Sequence, residues 1–191
     1  MARRGLLVVF AGASGVGKGT IMKQVLPQDE RFRLSVSATT RLPREGEVDG
    51  REYYFITRER YDQMVRDGMF LEHAEYCGNG YGTPKAPVME MLDRGLDVFL
   101  EIELNGFLQV KEAYPELLSI FVVPPSMDEL RARLIGRGTE TDESIESRLC
   151  TAMYEISQKD LFDHIIINDD VDRAAGEVLA IIRNKREENL S

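Results

Sequence analysis

Residues 6–19 read LLVVFAGASGVGKG, and this stretch decides the fold class. The apolar run at residues 6–11 is typical of a strand that is buried on both faces of a parallel sheet. The glycines that follow allow a tight concave loop whose N–H groups point inward at an anion. Lys18 adds a positive charge, and a helix beginning there directs its positive end at the same anion. Strand, loop and helix in this order predict a P-loop, which binds the phosphates of a nucleoside triphosphate.

The predicted phosphate loop departs from the common pattern at one position. The usual Ser or Thr directly after the lysine is Gly19, and Thr20 follows it. We therefore expect Thr20 to place its hydroxyl near the phosphates or Mg²⁺, with the metal held through the phosphates. The residues predicted to bind ATP in this loop are Gly12, Ala13, Ser14, Gly15, Val16, Gly17, Lys18, Gly19 and Thr20.

Composition excludes several classes of partner. The chain has 191 residues and a net charge of −9, whereas a protein that coats nucleic acid needs a basic face. No apolar run approaches 18 residues, so we expect neither a membrane span nor a membrane partner. Cys77 and Cys150 lie far apart without a CxxC motif, which favours reduced thiols in a cytoplasmic protein. The length fits one compact domain, and a homo-oligomer stays among the alternatives.

Strand-like runs alternate with helical patterns along most of the chain. Apolar runs at residues 98–103, 118–123 and 164–168 repeat the character of the first strand. Between them, Ser126 and Glu129 form a capping box, and two later helices are predicted from apolar stripes. The stripes are Ile145, Leu149, Ala152, Met153 and Ile156, and Ala174, Ala175, Val178, Ile181 and Ile182. This alternation predicts an α/β fold with a central parallel sheet flanked by helices. Only the charged tail at residues 183–191 is expected to be disordered.

Residues 35–90 have a different pattern, which we interpret as an inserted small α/β lobe. A half-exposed strand is predicted at 51–57 and another strand at 70–76. Between them, apolar residues at helical spacing predict a short helix that ends at Gly68. The run CGNGYGTP at 77–84 predicts a cluster of turns.

A second anion site is indicated by SATTRLPREGE at residues 37–47, where Arg41 and Arg44 lie among small hydroxyl residues. An arginine fork matches two phosphate oxygens at once and stays charged at any working pH. Two phosphate sites in one chain predict a kinase for a phosphorylated acceptor. Solvated loop charges are the alternative for these two arginines.

Five motifs together resemble the guanylate kinases, over about residues 5–185. They are GASGVGKGT, SVSATTRLPREGEVDGREYYF, FLEHAEYCGNGYGT, RLIGRGTETDESIESRL and IIINDD. The resemblance implies a P-loop nucleoside monophosphate kinase that moves the terminal phosphoryl of ATP onto GMP or dGMP with Mg²⁺, in purine metabolism. It also implies a core at 5–34 and 95–185, a GMP-binding lobe at about 35–90 and a lid at about 133–148.

The same resemblance implies the residues that bind GMP. They are Ser37, Arg41, Arg44, Tyr53, Glu72, Tyr81, Thr83 and Glu101. The two arginines and two tyrosines would hold the GMP phosphate, and Glu72 would accept two hydrogen bonds from guanine. Glu101 stands where the family commonly has aspartate. Because a carboxylate that ends a buried strand is costly without a partner, we expect Glu101 to meet guanine or a water on Mg²⁺.

The lid and the transfer step would rely on further arginines. The catalytic residues implied are Lys18, Arg41, Arg137 and Arg148. Arg137 follows the helix-ending Gly136, and such a segment suits a lid that excludes water. Arg131 and Arg133 are expected to be exposed helix charges, and Asn168 would contact adenine by its family position.

Three other functions are alternatives to this hypothesis. A GTPase would need an Asn-Lys-x-Asp motif after a strand, but NKRE at 184–187 lies in the charged C-terminal region and ends in glutamate. A P-loop kinase of another phosphorylated acceptor, such as a ribose phosphate, would not need the predicted guanine contacts. A non-catalytic module that binds phosphopeptides would be expected to lack the loop lysine, whereas Lys18 is present.

Overall fold

The computed structural model describes residues 4–136 and 142–189 and confirms the α/β architecture, with a central parallel sheet flanked by helices. The strands are β1 (Leu7–Gly12), β2 (Phe32–Leu34), β3 (Ala38–Thr39), β4 (Tyr54–Phe55), β5 (Phe70–Tyr76), β6 (Asn79–Pro84), β7 (Asp97–Leu100), β8 (Leu118–Val123) and β9 (His164–Ile167). The helices are α1 (Lys18–Val25), α2 (Arg58–Arg66), α3 (Lys85–Asp93), α4 (Leu104–Ala113), α5 (Met127–Ile135), α6 (Asp142–Ser157) and α7 (Val171–Glu188).

The chain divides into two compact units. Among the described residues, the first unit comprises 4–7 and 33–117, and the second comprises 8–32, 118–136 and 142–189. Within the described ranges, no helix combines the length and the apolar content needed to cross a bilayer.

The second unit is built on parallel strands. β1 pairs with β8 from Val8 opposite Leu118 to Gly12 opposite Val122, and β8 pairs with β9 in the same sense. Every residue of β1 and β8 is buried, as the continuous apolar runs predict. Helix α1 packs against α7, and α5 against α6. At the start of α5, the N–H of Glu129 donates to the hydroxyl of Ser126 at 3.1 Å, which confirms the predicted cap.

The first unit contains a four-stranded sheet in the order β4-β3-β6-β5. β6 runs antiparallel to β3 and to β5, whereas β3 and β4 are parallel. Its small core joins Tyr61 and Met64 of α2 to Phe70 of β5. The same unit holds β7, where the N–H of Val98 donates to the carbonyl of Leu6 at 2.8 Å.

Helix α4 packs against β5, which is one of the two edge strands of this sheet. The side-chain amide of Gln109 accepts a hydrogen bond from the N–H of His73 at 3.1 Å and donates to its carbonyl at 3.0 Å. Both backbone groups of His73 are therefore satisfied by one side chain, as a neighbouring strand would satisfy them.

Several element predictions were wrong in extent. The run at 77–84 is a turn only at Cys77 and Gly78, and the rest is strand β6. The strand expected at 98–103 ends at Leu100, and the strand expected at 51–57 shrinks to Tyr54–Phe55. Met153, placed in an apolar stripe, is 60% exposed. The tail expected to be disordered is helical through Glu188, and Arg186 forms an ion pair with Asp29 at 2.8 Å.

Candidate active site

The predicted phosphate loop lies between the end of β1 and the start of α1, which begins at Lys18 as expected. Gly17 caps this helix with φ 95°, a conformation that favours glycine. A Cβ on Gly17 would also lie only 2.5 Å from the side-chain nitrogen of Asn168. The loop therefore needs glycine here both for its backbone conformation and for space.

Lys18 lies across the loop. Its Nζ donates to the carbonyl of Gly12 at 2.6 Å and lies 3.5 Å from the carbonyl of Ala13. These two acceptors are neutral carbonyls, and the first turn of the helix adds a positive end beside the ammonium.

The first turn of α1 exposes Gly19 and Thr20. Within the described residues there is no group of three or more His, Cys, Asp or Glu side chains that could hold a metal. A metal here would depend on phosphate oxygens, water and the hydroxyl of Thr20. That donor set fits Mg²⁺, which keeps several waters and is usually bound through substrate phosphates and few protein groups.

The carbonyl of Val16, at the tip of the loop, is held from two sides. It accepts a hydrogen bond from the side-chain amide of Asn168 at 2.6 Å and a longer one from Arg133 at 3.3 Å. Arg133 also donates to the backbone carbonyl of Asn168 at 3.0 Å. The expectation that Arg133 is a merely exposed helix charge is wrong, because its side chain is 27% exposed and bridges two loops. No sequence pattern links positions 16 and 133.

Asn168 itself is buried at 3% exposure. Its Oδ1 is buried without a hydrogen-bond partner in the described structure, although most buried polar atoms have one. The side chain thus supports the phosphate loop, and its contact with adenine stays a prediction.

In the first unit, Arg41 is held by a carboxylate that the sequence analysis missed. Its Nη1 and Nη2 donate to the two carboxylate oxygens of Glu47 at 3.0 and 2.9 Å, and Nη1 also donates to the carbonyl of Leu42 at 2.7 Å. The pKa of Arg41 is raised, mainly by the hydrogen bonds with Glu47 and less by one with Tyr81. Glu47 also accepts from the backbone N–H of Arg44 at 2.7 Å. The sequence indicates this pairing only by the proximity of Glu47, which lies six residues after Arg41 in the stretch at 37–47.

Aromatic rings line the same cluster. The guanidinium of Arg41 lies 5.5 Å from the ring centre of Tyr53, whose ring meets that of Tyr81 edge-on at 6.1 Å. Burial raises the pKa of Tyr53, so its hydroxyl stays protonated as a donor. The structure therefore brings together Arg41, Tyr53 and Tyr81, while the side chain of Arg44 is exposed on the adjoining loop.

Glu72, the residue predicted to read guanine, lies on β5 and is 8% exposed. Its Oε1 accepts a hydrogen bond from the hydroxyl of Thr83 at 2.6 Å, and that hydroxyl lies 3.5 Å from the hydroxyl of Ser37. Burial raises the pKa of Glu72 above its ordinary value, although the bonds from Thr83 oppose the shift. The structure thus joins the three residues predicted for the base.

Three predicted residues remain, which are Glu101, Arg148 and Arg137. Glu101 directly follows the end of β7 and is exposed, so the expectation of a buried carboxylate is wrong, because the strand ends at Leu100 rather than at residue 103. Its contact with guanine or with a water on Mg²⁺ stays a prediction. Arg148 is half-buried on α6. Arg137 lies outside the described residues.

The comparisons with known proteins bear on this arrangement directly. The family model described as guanylate kinase matches residues 4–185. The chain belongs to the guanylate kinase family.

Members of this family from several bacteria resemble the chain over nearly its whole length. The guanylate kinase of Clostridioides difficile (strain 630) is 50% identical over 96% of this chain and 90% of the relative. That of Lactococcus lactis subsp. lactis (strain IL1403) is 52% identical over 95% and 89%. The crystal structure of guanylate kinase from Anaplasma phagocytophilum superposes with a TM-score of 0.75 at 33% identity, covering 95% of this chain and 86% of that one. The resemblance inferred from the motifs is confirmed.

Proposed function

We propose that the protein transfers the γ-phosphoryl group of ATP to GMP or dGMP with Mg²⁺, producing ADP and GDP or dGDP. The observation that carries this proposal is the buried carboxylate of Glu72, which receives its hydrogen bond from Thr83 within the unit that also holds Arg41. Relatives named guanylate kinase, which are 50% and 52% identical to this chain, support the same conclusion. The reaction belongs to purine nucleotide metabolism.

Guanine recognition follows from the chemistry of Glu72. Guanine presents an N1–H and an amino group side by side, and an ionised carboxylate can accept from both. Adenine presents a bare N1 acceptor at that place, which a carboxylate repels. A buried site whose polar groups lose their partners rejects the wrong substrate by about 10⁴–10⁵. Ser37 and Thr83 would contact the other edge of the base.

The GMP phosphate would bind at the cluster of Arg41, Tyr53 and Tyr81, with Arg44 closing from the adjoining loop. A guanidinium has five N–H donors, and the contacts with Glu47 and Leu42 engage three of them. The other donors can serve Tyr81 and a phosphate oxygen. Glu47 then orients the guanidinium, so that little side-chain freedom is lost when GMP binds.

The phosphoryl donor would be held by the loop between β1 and α1. Its backbone N–H groups and Lys18 would bind the triphosphate, and Mg²⁺, bound through the phosphates and Thr20, would offset their negative charge. Two unit charges 4 Å apart oppose each other by about 4 kcal/mol at an effective dielectric of 20, and phosphates carry more than one charge each. Arg137 and Arg148, in the lid proposed at about 133–148, would add positive charge at the transferring group.

We place this reaction in the cytoplasm. Cys77 and Cys150 are free and exposed, which suits a reducing compartment. The net charge of −9 favours small substrates over nucleic acid, because the cationic groups are local rather than spread over a face.

A substrate panel tests the proposed function. ADP release is measured with ATP, Mg²⁺ and one acceptor at a time from GMP, dGMP, AMP, UMP and ribose 5-phosphate. We expect GMP to exceed AMP by about 10⁴ in kcat/KM. The Lys18→Ala variant serves as the control for contaminating kinases. A chain that binds GMP without turnover, or that prefers a ribose phosphate, would refute the proposal.

A further inference from the structure

Helix α4 presents a glycine to the carboxylate of Glu72. We propose that Gly106 determines guanine specificity by controlling the position of the Glu72 carboxylate. Because Gly106 lacks a side chain, the second carboxylate oxygen of Glu72 lies where guanine can donate to it. The inference rests on the proposed function and extends it to a residue that does not touch the substrate.

The contact between Gly106 and Glu72 is close. A Cβ built on Gly106 would lie 2.8 Å from Oε2 of Glu72 and 3.3 Å from both Cδ and Cγ. Real Cβ atoms essentially never come within 3.0 Å of such a neighbour, so one of the two groups would have to move. Gly106 is itself buried, and the nearest atoms to its Cβ position all belong to Glu72.

The helix is the less mobile partner in this contact. Gln109 lies one turn further along α4 and bonds both backbone groups of His73, the residue directly after Glu72. Residues three apart share a helix face, so Gly106 and Gln109 both face β5. A methyl group at 106 would therefore displace the carboxylate rather than lift the helix. Oε1 is anchored by Thr83 at 2.6 Å, so the displacement falls on Oε2.

Glycine at position 106 is not required by the backbone. The glycines with positive φ among the described residues do not include Gly106, which lies within the helical range of α4. Glycine inside a helix is less stable than alanine when the conformation permits both. The local helix would thus gain from alanine, and the close contact with Glu72 is the physical reason for glycine here.

Two alanine substitutions test this inference. Gly176 is an exposed glycine inside α7, and its Cβ position has nothing within 4 Å in the described structure, so Gly176→Ala is the matched control. We expect Gly106→Ala to raise KM for GMP about tenfold or more and to weaken discrimination against AMP. Its KM for ATP should stay within twofold of the parent. Gly176→Ala should leave both KM values unchanged, with its thermal midpoint equal or higher.

A double-mutant cycle with Glu72→Ala separates an effect through Glu72 from a general packing effect. If Gly106 acts through Glu72, Gly106→Ala changes KM for GMP less than twofold in the Glu72→Ala background. An equal rise in both backgrounds, or an unchanged KM for GMP in folded Gly106→Ala, overturns the inference. If Gly106→Ala does not fold, adding Glu72→Asp shortens the clashing side chain and should restore folding. A double variant that still does not fold also overturns the inference. A parent chain without GMP turnover refutes the proposed function instead.

Discussion

Replacing Thr83 with valine removes the hydroxyl that donates to Glu72 at 2.6 Å and keeps a similar shape. Thr83 is 0% exposed and Glu72 8%, so water cannot readily replace the lost bond. A hydrogen bond to a charged group contributes about 1.5–3 kcal/mol, and we expect Thr83→Val to lower the free energy of unfolding by that amount at neutral pH. For a chain of this size, 1 kcal/mol corresponds to about 2–4 °C, so the thermal midpoint should fall by about 3–12 °C.

The loss should depend on pH in a defined direction. Burial already raises the pKa of Glu72, and the bond from Thr83 opposes this by stabilising the ionised form. The bond therefore contributes its full stability above the pKa of Glu72 in the folded protein. As pH falls through that pKa, the carboxyl is protonated and the bond weakens, so parent and variant should approach each other.

Thermal unfolding of both proteins at pH 7.5 and at pH 4.0, which lies below the ordinary pKa of a glutamate, measures this difference. Thr151→Val is the matched control, because the hydroxyl of Thr151 is exposed and donates to a neutral carbonyl. We expect the control to stay within about 0.5 kcal/mol of the parent at both pH values. The reasoning is refuted if Thr83→Val behaves like the control, or if its effect is equally large at both pH values.

Three further substitutions test the two anion sites. Lys18→Ala should lower kcat for GMP phosphorylation by at least about 10²–10³ with an unchanged circular dichroism spectrum, and a near-parent rate would contradict its role. Glu47→Gln should raise KM for GMP but not for ATP, because a neutral amide cannot hold both nitrogens of the Arg41 guanidinium; an unchanged KM for GMP would count against that positioning. If Asn168 acts by holding the carbonyl of Val16 in the phosphate loop, Asn168→Ala should raise KM for every triphosphate by the same factor. ATP and a purine triphosphate without the 6-amino group are then compared. A loss seen only with ATP would favour the predicted contact with adenine instead.

Local patterns predicted the parts of the fold that local chemistry controls. The bounds of β5 and β8 match the predicted runs. β8 is buried throughout, as its nearly continuous apolar run predicts, whereas β5 is buried only over its first three residues. The phosphate loop follows from its glycines and Lys18, because few other sequences permit that backbone. The family resemblance then named Glu72 and Thr83, which the structure places in contact.

Features that depend on distant packing could not be predicted in the same way. Gly80 and Gly82 look like turn residues, yet they lie in β6. Glycine is needed at these strand positions because a Cβ would meet the ring of Tyr61 at 2.6 Å or that of Phe70 at 2.8 Å. Arg133 resembled a surface charge because its partners at Val16 and Asn168 are far away in sequence. The exposure of Glu101 was not predicted because the strand expected at 98–103 ends at Leu100, and element ends are where sequence patterns are least informative.

The bond between Gln109 and His73 has a consequence for how copies of the chain meet one another. An outer strand can act as a template on which a foreign strand assembles, and such growth leads to aggregation. At His73 that template is already occupied, since both main-chain groups are taken by an amide from the same molecule. In a crowded solution this strand should therefore resist lateral growth at its midpoint, and the protection comes from a side chain rather than from charge or proline.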